Sequence, residues 1–173
     1  MKIGDVIYQD DLEKPKIDYT YFGVEGVWGL FGKRKTDSQY VCLNVGKSKD
    51  IGREVLYDIG CLHFVTPHVM GSRKYVNQFA EDCHFIWESG KTQECVYPYI
   101  FENYTELVFI MLHMTSDSNY EKKFATCTKS RFWRNGKVYE NAIDDSVKEE
   151  EIIKFKNIEA ITKYIAEFRC DVI

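Results

Sequence analysis

Residues 39–55 read QYVCLNVGKSKDIGREV, an apolar run that enters Gly46-Lys47-Ser48 and continues into a stretch of helical character. A strand that delivers a glycine-lysine-serine turn to the start of a helix is how nucleotide-binding loops cradle phosphate. Such a loop needs another glycine five residues before the Gly-Lys pair, so that free backbone amides wrap the anion. Position 41 is Val, and the residues between are apolar strand. The phosphate-cradle reading fails. The stretch reads instead as the return arm of a hairpin followed by a helix.

Outward from there, residues 39–45 are rich in Tyr, Val, Cys and Leu and predict a strand. Residues 26–31 predict its partner, and residues 32–38, GKRKTDS, the turn between them. Before the hairpin, residues 5–8 and 19–22 read as short β pieces around a polar turn at Pro15. After it, a helix is predicted from Lys49, with Ser48 as N-cap and Ile51, Val55 and Ile59 at helical spacing. Residues 72–83 predict a second helix, with Tyr75 and Phe79 on one face, and residues 84–87 a short strand.

Residues 106–114, ELVFIMLHM, are nearly all apolar, and at this length a buried central strand is favoured over a helix. Ser116, Asp117 or Ser118 then caps a helix whose inner face is Tyr120, Phe124 and Cys127, with a closing turn at Asn135-Gly136. A last helix is predicted from residue 149. Glu149, Glu150 and Glu151 lie early in it, where the helix dipole prefers acids, and Ile158, Ile161, Ile165 and Phe168 form its apolar stripe. The stripe predicts docking on the same domain, with homodimerisation through this helix as the alternative.

The chain has 173 residues, 45% of them hydrophobic and 15% aromatic, enough to bury a core within one domain. The expected division is a main domain over 1–148 with an N-terminal extension, and the C-terminal helix over 149–173. Net charge is −4, so a nucleic-acid surface has to be local rather than global. The absence of a long apolar run and of a secretory leader predicts a cytoplasmic protein with no membrane partner. Six cysteines without a C-x-x-C pair predict reduced thiols, and His63, His68, Cys83 and His84 fit no zinc spacing.

Gly26-Val27-Trp28, followed after some fifteen residues by Asn44-Val45-Gly46-Lys47-Ser48-Lys49-Asp50-Ile51, resembles the two short motifs of the GIY-YIG nuclease family. The resemblance covers residues 26–56 and 106–136. It implies an α/β fold with a small three-stranded central sheet flanked by helices. It also implies hydrolysis of a DNA phosphodiester with one divalent metal, here Mg²⁺. In that chemistry motif tyrosines position water, an arginine on the first helix steadies the phosphate and a glutamate on a later helix binds the metal. Carried onto this chain, Glu121 takes the metal and Asn135 sits near the site. Arg53 neutralises the phosphate, Lys47 orients it, and Tyr40 or Asn44 positions the water.

Three positions depart from the pattern. Trp28 stands where the first tyrosine is expected, Asn44 where the second is expected, and Glu54 in the arginine slot eight residues after Gly46. The departures define an alternative, a fold of this kind that has lost its chemistry and acts as a nucleic-acid-binding or protein-interaction module. Residues 121–137 carry six basic side chains against one acidic, among them Lys122, Lys129, Arg131 and Arg134. They predict a backbone-binding surface, with DNA favoured as partner. The bland reading of the same residues is a solvated helix face.

Overall fold

The hairpin forms, and both of its strands run further than their apolar centres. The computed structural model describes residues 6–8, 20–64, 97, 100, 103–133 and 149–171. Its strands are β1 (Val6–Tyr8), β2 (Gly26–Arg34), β3 (Tyr40–Ser48) and β4 (Tyr104–His113). Its helices are α1 (Ile51–Phe64), α2 (Asn119–Cys127) and α3 (Ile158–Asp171), with one short 3₁₀ turn at Glu149–Glu151. The sheet order is β1-β4-β2-β3, antiparallel throughout. This is an α/β arrangement of a small antiparallel sheet and helices, as expected. The three long strands are the predicted ones, and the short β1 adds a fourth along β4.

Side chains alternate across each strand, so one sheet supplies two cores. On one face Trp28, Leu30, Val41, Leu43 and Phe109 pack with Ile51, Val55, Ile59 and Leu62 of α1. The other face joins Val27, Phe31, Tyr40, Cys42, Val108, Ile110 and Leu112 to Phe124 of α2 and to Ile161 and Ile165 of α3. The register shifts at Leu30/Phe31, where β3 carries one extra residue. That bulge is why Cys42 and Val45, three apart, share a face. Ile161 and Ile165 of the α3 stripe are spent in this second core, and Ile158 and Phe168 pack against it half-buried.

Several local expectations change. Residues 20–23 form a turn rather than a strand. The N-cap of α1 is Asp50, whose Oδ1 accepts the Arg53 amide at 3.1 Å. Ser48 instead takes the Asp50 amide at 3.1 Å. The α3 cap is Asn157, whose Oδ1 accepts the Ala160 amide at 2.9 Å. Glu149, Glu150 and Glu151 therefore precede that helix by a turn of their own. The predicted helix at 72–83, the strand at 84–87, the Pro15 turn and the Asn135-Gly136 turn lie outside the described residues. So do His68, Cys83 and His84 of the metal grouping. Among the described residues no helix is long and apolar enough to cross a membrane.

β3 is an edge strand, and the chain covers its free side. The Arg131 and Phe132 amides donate to the carbonyls of Cys42 and Leu43 at 3.1 and 2.9 Å. Tyr40 and Phe155 exchange both backbone bonds at 2.8 Å. Covering the edge in this way removes a template for intermolecular pairing.

The turn that carries the chain from α2 to this edge is a Schellman motif. The Ser130 amide reaches the Ala125 carbonyl at 3.0 Å and the Lys129 amide reaches Thr126 at 3.3 Å. Lys129 holds the left-handed position, φ 51°, which glycine occupies at no steric cost. Lys129→Gly is expected to stabilise the protein by about 1 kcal/mol. The check is urea unfolding with an unchanged m-value. A loss of stability would show that the lysine stem contributes more than the strain costs.

Candidate functional site

The region where the sequence suggested a phosphate is already satisfied from within. A helix N-terminus can hold an anion only while its first amides are free. The Ile51 amide donates to the Val24 carbonyl, and the Gly52 amide to Tyr21, both at 2.9 Å. The Arg53 and Glu54 amides are taken by Asp50 through its side chain and its backbone. Lys47 Nζ is 2.6 Å from Glu25 Oε1, so the lysine of Gly-Lys-Ser is held by an ion pair. The Gly46-Lys47-Ser48 segment is thus held by groups of the protein itself.

The chemistry-bearing groups gather beside it. In the hairpin Trp28 lies opposite Gly46. A Cβ at 46 would sit 2.5 Å from the indole ring, so only glycine lets the ring lie flat across the strand. Trp28 is buried, and its Nε1 donates to Glu54 Oε1 at 3.1 Å. Trp133 Nε1 donates to Glu121 Oε1 at 2.8 Å. Burial pushes the Glu54 carboxyl up, bonds from Ser48 and Trp28 oppose that, and the negative charge of Glu121 pushes it up further. Two indole–carboxylate bonds thus tie Trp28 to α1 and Trp133 to α2, and the charge of Glu121 is felt at Glu54. Two carboxylates in that range repel a phosphate unless a cation intervenes.

The residues named from the resemblance are distributed otherwise. Arg53 is 80% exposed and its Nε lies 3.5 Å from Asp50. Tyr40 is 4% exposed in the α2/α3 core, and its hydroxyl donates to Glu106 Oε2. Burial raises the Glu106 carboxyl, yet the Tyr40 and Lys33 contacts outweigh it and hold the group low. Asn44 is buried at the bulge, opposite Leu30. Glu121 alone of the catalytic set acts on the Trp28–Glu54 pair, through its charge. Arg53, Lys47, Tyr40 and Asn44 do not converge with it.

Of the basic surface residues, Lys122 is exposed and Lys129 half-exposed. Arg131 departs from expectation. It is 6% exposed, its Nη1 donates to the Tyr104 hydroxyl at 3.0 Å, and its guanidinium stacks on Phe132. The cause is the backbone pairing with β3, which pulls this residue inward, so it belongs to the core and not to a binding face. Arg134 and Asn135 lie outside the described residues.

Among the described residues no three His, Cys, Asp or Glu side chains form a metal-binding group. Glu121 is the carboxylate that would hold the Mg²⁺ the resemblance implies, and its Oε1 already accepts from Trp133; Mg²⁺ often takes one or two protein carboxylates and completes its shell with water and phosphate. Cys42 and Cys127 are free thiols, both pushed up to about 12, Cys42 by burial and Cys127 by burial and by Cys42. Neither is a nucleophile at neutral pH.

Sequence reasoning missed Glu54 and the two tryptophans as site residues. Their signal was present in the register. A hairpin that sets Trp28 over Gly46 buries an indole N–H, which needs an acceptor on the next helix.

The raised Glu54 carboxyl has a consequence for stability. A carboxyl whose pKa is higher folded than unfolded supports folding below its ordinary value of 4.5, and that support is lost as pH rises through the folded value. Ionisation of the group above that range therefore weighs against the fold. Glu54→Gln keeps an acceptor for Trp28 and is expected to raise Tm at pH 7 by roughly 2 °C. The gain should vanish below about pH 4. Thermal melts across that range check it, and a gain independent of pH would assign the effect to packing instead.

No protein-family model matches this chain, nor does any curated protein or solved structure, so the function rests on the geometry of the site itself.

Proposed function

We propose that this chain is a GIY-YIG-like module whose catalytic positions have been rewired, and that it binds a nucleic-acid backbone, DNA by preference, without cleaving it. The observation that carries the reading is the Trp28–Glu54 hydrogen bond. The positions where the resemblance expects a tyrosine and an arginine hold two residues bonded to each other. An arginine neutralises phosphate charge, whereas Glu54 adds to it. With Arg53 engaged by Asp50 and the Tyr40 hydroxyl engaged by Glu106, no described side chain replaces what was lost.

The partner is argued from charge. Lys33, Arg34, Lys47 and Lys154 are each matched with an acid: Glu106, Asp37, Glu25 and again Asp37. Lys122 and Lys123 on α2 and Lys129 just after it sit on the solvent side and form no ion pair among the described residues. Three such charges suit a weak, salt-sensitive contact with a polyanion.

A second reading, Mg²⁺-dependent phosphodiester hydrolysis, is favoured by one observation, that the Glu121 carboxylate on α2 lies within electrostatic range of Glu54. Nicking of supercoiled DNA with Mg²⁺ separates the two. The rewired module gives no nicking above the Glu121→Ala control. Cleavage that is lost in Glu121→Ala would overturn it in favour of the hydrolase.

Binding is followed by anisotropy of a labelled duplex over a salt series. The expected log–log slope is about −3 for three phosphate contacts, and Lys122→Glu with Lys129→Glu should reduce it by about 2. Absence of any binding at low salt would remove the nucleic acid from the proposal.

A further inference from the structure

Away from the hairpin, α2 presents a face that the two cores do not use. Phe124 and Ala125 point into the protein, and Asn119, Lys122, Lys123 and Thr126 form the stripe on the opposite side. With Cys127 and with Phe168 of α3 they line an open groove of about 520 Å³. That volume lies within the range of sites that take small planar ligands, roughly 300–1,000 Å³. Its floor is apolar and aromatic. Phe168 is half-buried and held edge-on against Phe124, ring centroids 5.3 Å apart. Its walls are cationic and hydrogen-bonding, and no lining residue is acidic. Lys122 and Lys123 are neighbours in sequence and so lie about 100° apart around the helix. They flank the groove rather than line up along it. Lys123 Nζ is held 4.5 Å over the Tyr120 ring, which fixes one flank.

We infer that this groove seats one unstacked base of a single-stranded nucleic acid. The base lies against Phe168, its edge reaches Asn119 and Thr126, and the phosphates on either side meet Lys122 and Lys123. The inference rests on the nucleic-acid reading above and sharpens it from a polyanion to a strand with accessible bases. Charge complementarity argues for it. The groove combines an aromatic surface with two flanking ammoniums and neutral donors and acceptors between them. A nucleotide carries the matching set: a π face, a polar edge and an anion on each side. A duplex offers only its phosphates here and leaves the apolar floor unused.

Anisotropy with the full chain tests this with three probes of equal length: a labelled mixed-sequence single strand, the same strand made abasic throughout, and the duplex. The single strand should bind the wild-type protein at least about fivefold more tightly than either of the others, the ratio expected from one base stacked on an aromatic ring. Phe168→Leu keeps the apolar volume and removes the π face, so it should erase that preference. Lys122→Glu should weaken all three probes together. Thermal melts confirm that the Phe168 variant is folded. The wild-type comparison of base-bearing and abasic strands decides the matter even if it is not.

Equal affinity for the three probes overturns the base site and leaves backbone binding standing. No affinity for any of them overturns both. Phe168-dependent binding of an acidic, phenylalanine-containing peptide, with none for the strands, overturns the inference and reassigns the groove to a protein partner.

Discussion

An indole lying across a glycine sets the arrangement of this protein's motif region. Trp28 covers Gly46 so closely that a single Cβ there would collide with the ring. The contact fixes how the hairpin's two arms stack and leaves the indole N–H in a place where water does not reach. A buried N–H without an acceptor costs about 1–3 kcal/mol. The acceptor has to come from the next element, and α1 supplies it through Glu54. Arginine in that slot would fail, because a guanidinium has only donors. The tryptophan and the glutamate, which look like two separate departures from a nuclease pattern, are one physical solution. Once the first is present, the second follows.

The same reasoning links the far side of the site. β3 has β2 on one flank, and its other flank needs hydrogen-bond partners. The chain supplies them by leaving α2 through a tight left-handed turn at Lys129 and running residues 131 and 132 alongside β3. This pairing draws Arg131 into the interior and carries Trp133 back to Glu121. The second indole–carboxylate pair is thus a consequence of covering an edge. That two such pairs arise at the same end of the sheet, one on each face, brings Glu54 within reach of the Glu121 charge. Each carboxylate keeps an indole donor, which offsets part of the cost of placing the two charges in range of one another.

What was legible in the sequence follows from the range of the forces involved. The hairpin, the α1 stripe Ile51–Val55–Ile59 and the apolar β4 were readable because periodicity and turn chemistry are local. The boundaries moved where backbone groups found distant partners. Residues 20–23 became a turn because the Tyr21 and Val24 carbonyls cap α1, a contact between segments some thirty residues apart in chain. Tyr40 and Arg131 were misplaced for a related reason. Strand alternation puts Tyr40 on the α2/α3 face, and edge pairing buries Arg131, and neither is visible without the register. Glu54 was read as a loss of function because a family pattern was laid over it. Its partner, twenty-six residues earlier, appears only when the strands are aligned.

Charge then divides the molecule's surface by role. Near the motifs Lys47 and Arg53 are each paired, with Glu25 and Asp50, while Glu54 and Glu121 add two carboxylates that disfavour a polyanion. The outer side of α2 carries lysines that pair with no acid among the described residues, and a protein of net charge −4 can still attract a polyanion there, because screening confines each field to about 8–10 Å. In the proposed reading the strand is therefore guided past the degenerate motif and onto the helix behind it. Glu121 lies on that same helix, half-buried and bonded to Trp133, about 100° around the axis from Lys122. The side of α2 that faces the groove is therefore lined by lysines, and the carboxylate that the resemblance would give to a metal sits off that face.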